Sequence, residues 1–125
     1  MALLPESVRD AWEHRDGPVV LTSMDSAGVP NAIYASCVSM FGDDKLVVAD
    51  NYFSKTRANI LADSKAAILF ITADSKAFQV KGTLEYQTKG EIFDDMKQWL
   101  DPKHPGHAAV VLHVEEVYSG ADQLA

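Results

Sequence analysis

Residues Ala77–Gln87 read AFQVKGTLEYQ, the clearest period-two stretch in the chain. Phe78, Val80, Gly82, Leu84 and Tyr86 alternate with Gln79, Lys81, Thr83 and Glu85. That is the pattern of a strand with one face on a core and the other towards water. Gly82 inside the run predicts a bulge or the close approach of another group, because an interior strand glycine has no side chain to pack.

Working outward, the neighbours supply partners for this strand. Downstream, GEIFDDMKQWL (90–100) places Ile92, Phe93, Met96, Trp99 and Leu100 at helical spacing, a stripe that reads as core. DPKHPGH (101–107) is a stiff connector, AAVVLHVEEVYS (108–119) a last strand, and the tail GADQLA is expected to be loose. Upstream, KAAILFIT (65–72) has the continuous apolar run of a strand buried on both faces, a signature a buried helix shares. KLVVAD (45–50), NAIYASCVSMF (31–41) and PVVLTSM (18–24) read as further strands, the last two joined through the turn residues DSAGVP. A helix is expected from Pro5 to about Arg15, with Val8, Ala11 and Trp12 on one face and Gly17-Pro18 as its stop. A short helix is expected from about Lys55 to Ala62.

The result is about six strands with two or three short helices at the connections. So many strands in a small chain leave edges that must be managed, and closure does that. The expected fold is therefore mainly β, a small antiparallel barrel with helices at its ends; a sandwich is the alternative. The 125 residues suit one domain, and no internal repeat is visible.

Eleven basic against eighteen acidic side chains give a net charge of -7. Such a chain has no general attraction for nucleic acid or anionic membranes. Any anion it binds must be caught locally. The single cysteine, Cys37, forbids an internal disulfide, and its neighbours suggest a buried, inert thiol in a strand. MALLPESVRD is not expected to be a signal peptide, and no apolar run approaches membrane-spanning length, so a cytoplasmic setting is expected.

Against that acidity, NYFSKTRANI (51–60) sets Lys55 and Arg57 around Thr56, just where a strand gives way to a helix. Ser54 stands where a cap is wanted, its hydroxyl placed to accept from the Thr56 or Arg57 amide. First-turn amides, two cations and a hydroxyl together make a receptor for one phosphate group. The same two charges would also suit a merely solvated helix start. No G-x-x-x-x-G-K-[ST] or G-x-G-x-x-G occurs. His104 and His107 flank a proline without a nearby cysteine and read as an exposed loop rather than a metal site. His113, between Leu112 and Val114, is expected to make an ordinary hydrogen bond.

KLVVADNYFSKTRANILADSKAAILF resembles the central stretch of the pyridoxamine 5'-phosphate oxidase-like, FMN-binding split-barrel family: an apolar strand, a short loop, a K-T-x-x-N helix start, then a buried strand. GVPNAIYASCVSMFGDDKLVV resembles its hairpin and AFQVKGTLEY its glycine-bearing strand, so the similarity runs from about Pro18 to Tyr118. The resemblance implies a six-stranded antiparallel split barrel holding FMN without a covalent bond. By position, Lys55 and Thr56 match the pair that holds the phosphate, with Ser54 and Arg57 as helpers. Asn59 would brace the loop or touch the ligand. Tyr34, Ala35 and Ser36 match the strand along the flavin, and Ala49, Asp50 and Asn51 the strand end at the ring edge. Gln79 falls where the family places a polar contact. The family's flavin lies at a homodimer interface, which would give Trp99 to the partner's wall. The implied activity is that of a small oxidoreductase or electron-transfer protein. Vitamin B6 oxidation is not expected, since no arginine follows Arg57 to form a basic substrate segment. A deazaflavin or haem in the same barrel, and a non-enzymatic interaction module, are the alternatives.

Overall fold

The computed structural model describes residues 2–125. Among them are three helices and eight strands: α1 (Glu6–Glu13), β1 (Val19–Met24), β2 (Pro30–Ala35), β3 (Val38–Phe41), β4 (Lys45–Asp50), α2 (Lys55–Leu61), β5 (Lys65–Ile71), β6 (Ala77–Gln87), α3 (Glu91–Trp99), β7 (Ala108–Ser119) and β8 (Asp122–Gln123). All ladders are antiparallel and run in the order β2-β1-β5-β6-β7-β4-β3, with β8 on β7.

That order makes the sheet a split barrel. β2 and β3 are its opposite edges, yet only Ser36 and Cys37 separate them in the chain. So short a link spans roughly 10 Å at most, so the sheet must curl until its edges nearly meet. No ladder joins β2 to β3, and that seam is the split. The strand count corrects the expected six. NAIYASCVSMF is two strands, broken where the chain passes from one edge to the other, and the tail adds β8. Leu124 donates to the Val117 carbonyl at 2.7 Å, and Val117 to that of Ala125 at 3.1 Å, so the tail is docked rather than loose.

The barrel interior is filled by alternating residues such as Val19, Leu21, Ile68, Val80, Val110 and Leu112, and Leu4, Val8 and Trp12 from the α1 segment pack onto the same cluster. A second cluster lies outside, where Ile92, Met96 and Leu100 cover Val47, Ala49, Ala109 and Val111. This explains why β4 and most of β7 are buried on both faces. β5, by contrast, alternates: Leu69 and Ile71 are each 43% exposed, because no helix covers the outside of that strand. The expectation that KAAILFIT is doubly buried is corrected accordingly.

Gly82 meets both halves of its expectation. The β6–β7 register slips between Lys81 and Gly82, leaving Glu115 as the extra residue on β7, and Gly82 lies against the β7 backbone. A bulge of this kind sharpens the local twist and helps the sheet curl.

Candidate functional site

A concavity of about 470 Å³ opens at the barrel's seam. This falls in the range of roughly 300–1,000 Å³ usual for small-molecule sites. One wall is the inward row of β2, Asn31, Ile33 and Ala35, continued by Ser36 and Cys37. Ala49, whose side chain packs under α3, and the loop Asn51, Tyr52 and Phe53 with Ser54, Lys55 and Thr56 form the rest of its wall. His104 reaches in from the connector before β7. Among the described residues, Lys55 is the one Lys or Arg side chain lining the cavity, and no carboxylate lines it. In a chain of net charge -7 that is a local inversion of sign.

Helix α2 is fixed from several sides. Thr56 and Ile60 are buried, and the Thr56 hydroxyl oxygen accepts from Asn31 Nδ2 at 2.9 Å. Asn59 Nδ2 donates to Ser23 Oγ at 3.0 Å, both side chains buried, so this asparagine braces α2 against β1. Ser54 occupies the cap position, but its side chain makes no capping bond, which corrects the expected one. The amides of Lys55, Thr56 and Arg57 have no partner among the described residues.

Arg57 does not line the cavity. Its guanidinium grips Asp50, with Nε on Oδ2 at 2.7 Å and Nη2 on Oδ1 at 3.1 Å. Asp50 is wholly buried and also accepts from the Tyr86 hydroxyl at 2.5 Å and the Phe53 amide at 3.0 Å. Burial alone would push the Asp50 carboxyl up. The hydrogen bonds from Arg57, Tyr86 and Phe53, with the guanidinium charge, outweigh it and hold the group below its ordinary value. The same pairing, led by the bond to Asp50, raises Arg57, while burial and then Asp50 raise the Tyr86 phenol.

A native carboxyl held low stabilises the fold above its unfolded value near ~4, and that contribution fades as pH falls through the lower native value. Urea unfolding midpoints should therefore drop steeply below about pH 4. In Asp50→Asn the slope in that window should be shallower, by up to about one proton. An identical slope in the variant would show that Asp50 carries none of the acid sensitivity.

Of the residues singled out in the sequence, Tyr34, Ala35, Ser36, Ala49, Asn51, Ser54, Lys55 and Thr56 come together around the cavity. Asp50, Arg57 and Asn59 lie behind its wall. Gln79 does not line it: along the outer-face row Tyr34–Val20–Leu69–Gln79 it stands three strands away from Tyr34. Trp99, at the end of α3, lines a separate depression of about 440 Å³ that shares Ser36, Cys37 and His104 with the main cavity. Cys37, expected buried in a strand, is half-exposed in the break. Asn31, Ile33, Cys37, Tyr52, Phe53 and His104 were missed. Counting back by two from Ala35 would have found Ile33 and Asn31, and Tyr52 and Phe53 sit inside the quoted loop. Nothing local announces His104; the Gly106 amide on Asn51 Oδ1 (3.0 Å) and the His107 amide on the Asp50 carbonyl (2.8 Å) bring its connector here.

The fold and the sequence have relatives. HupZ of group A Streptococcus superimposes with a TM-score of 0.82 at 22% identity, covering 94% of each chain. An FMN-binding protein of Syntrophomonas wolfei gives 0.78 at 21% identity, over 94% of this chain and 83% of that one. In sequence, an uncharacterized protein of Methanocaldococcus jannaschii is 30% identical over 106 residues, 81% of this chain and 71% of that protein. The family model described as pyridoxamine 5'-phosphate oxidase matches residues 4–120. With nearly its whole length inside that match, this chain belongs to the pyridoxamine 5'-phosphate oxidase family.

Proposed function

We propose that the chain is a flavoprotein that holds FMN non-covalently in the seam cavity and serves as a small oxidoreductase or electron-transfer protein. The observation that carries this reading is the sign of the cavity: Lys55 and no carboxylate, in an acidic chain. The FMN phosphate would lie against Lys55, Ser54 and Thr56. The Thr56 oxygen already accepts from Asn31, which leaves its own proton to donate to an anion. Ile33 and Ala35, with Ala49 beside them, are the apolar part of the lining and would take the ring. When bound, FMN would supply the redox chemistry, and the protein binding, orientation and electrostatics. The membership of the family and its FMN-binding structural neighbour support the same reading.

The homodimer belongs to this proposal. Tyr34 is 77% exposed and shares the outer face of β2, β1 and β5 with Leu69 and Ile71, an apolar strip that a second copy would cover. Light scattering should then give twice the chain's 13.7 kDa. The purified protein should be yellow, and Lys55→Ala should weaken FMN by about 1–3 kcal/mol, the scale of a hydrogen bond to a charged group. Unchanged affinity in that variant would remove the phosphate assignment, and the absorption spectrum of a deazaflavin or haem would replace FMN outright.

A further inference from the structure

We infer that Asp50 is a positioning residue that sets the phosphate-facing wall of the cavity without touching the ligand. The carboxylate is fully buried and does not line the seam cavity, so it has no route to a molecule bound there. Its four bonds all go to protein: two from Arg57 on α2, one from Tyr86 on β6 and one from the Phe53 amide in the cavity loop. Its carbonyl takes the His107 amide, and the next residue, Asn51, takes that of Gly106. One buried carboxylate thus ties the loop, the start of α2 and a neighbouring strand together, while its backbone anchors the connector carrying His104.

This assignment changes the role of Arg57. With its guanidinium matched by Asp50, Arg57 neutralises a buried charge beside the cavity and leaves Lys55 as the cation for a phosphate. If Arg57 served the phosphate directly, removing the charge on Asp50 would free it and tighten FMN. If it serves Asp50, the same change loosens the wall and weakens FMN.

The first arm of the test rests on the flavin reading above. Affinities for FMN and for riboflavin, the same flavin without its phosphate, are measured by fluorescence quenching. Asp50→Asn should weaken FMN about 10- to 100-fold and riboflavin by no more than about twofold, the loss expected when charge-assisted bonds that shape one wall are broken. Arg57→Lys, which keeps a charge on the carboxylate, should hold FMN better than Arg57→Ala. An equal loss for both flavins, no loss, or a gain for FMN in Asp50→Asn would overturn the assignment. If Asp50→Asn does not fold, Tyr86→Phe carries the same comparison, with a loss of about 3- to 10-fold confined to FMN.

Should the unmodified protein bind neither flavin, the flavin reading fails on its own. The second arm then judges the clamp by hydrogen exchange in the flavin-free protein. Tyr86→Phe should speed exchange of the Phe53 and Ala58 amides several-fold relative to Val111 in β7. Uniform acceleration, or none, would overturn the positioning role.

Discussion

Gly82→Ala is expected to destabilise the fold by about 3 kcal/mol or more and to lower its thermal midpoint by on the order of 10 °C. A Cβ at this position would lie 1.9 Å from the His113 carbonyl oxygen and 2.9 Å from its carbon. Both are backbone atoms of the strand opposite, so no side-chain rotation can relieve the overlap. Overpacking against movable side chains costs roughly 1–3 kcal/mol, and here the ladder itself must part. The damage falls on the β6–β7 pairing, which runs from Gln79↔Tyr118 to Gln87↔Ala109 and joins the two halves of the barrel. Thr83→Ala, an exposed change at the next residue, should stay within about 0.5 kcal/mol. A Gly82→Ala protein as stable as the Thr83→Ala control would mean that β6 and β7 do not approach as described.

Gly82 also shows how far the sequence reaches. Period-two alternation in AFQVKGTLEYQ marked both the strand and its irregular point, because burial on one face is a local pattern and a missing side chain is visible in the letters. The break at Ser36–Cys37 was not legible. NAIYASCVSMF contains no glycine or proline to interrupt it, and the strand divides only because the sheet curls and its edges must be bridged. The run KAAILFIT misled for a related reason. Its apolar outer residues Leu69 and Ile71 look like core, but within one copy α3 covers β4 and β7 instead.

The site divides in the same way. Lys55 and Thr56 could be placed because a helix start follows from its own few residues. The partner of Arg57 could not, since the sequence does not say that the carboxylate seven residues back turns inward and is sealed under Tyr86. Local reading finds the groups that a ligand would meet. Which charges are already spent on one another is decided by tertiary packing, and that decides how much positive charge the cavity keeps.

Trp12→Ala is expected to cost about 3–5 kcal/mol, the range for deleting a large buried aromatic side chain. Trp12 is 2% exposed at the inner face of α1. Its ring meets Phe70 edge to face at 5.1 Å between centroids, and Phe70 in turn stacks on Phe78 at 5.5 Å. Such ring pairs add about 0.5–1.5 kcal/mol beyond the area they bury. The Arg15 guanidinium lies over the Trp12 ring, 4.5 Å from its centroid, and the Arg15 backbone bridges to Thr72 just after β5. Removing the indole therefore leaves a hole between α1 and the barrel and loosens the clasp that holds the helix there. None of these residues lines the seam cavity, so on the proposed flavin reading the folded fraction should bind FMN as tightly as the parent protein while its urea midpoint falls. A stability loss below about 1 kcal/mol would show that α1 is an ornament on the barrel rather than part of its core. Weakened flavin affinity at full folding would show instead that α1 and the cavity are energetically coupled.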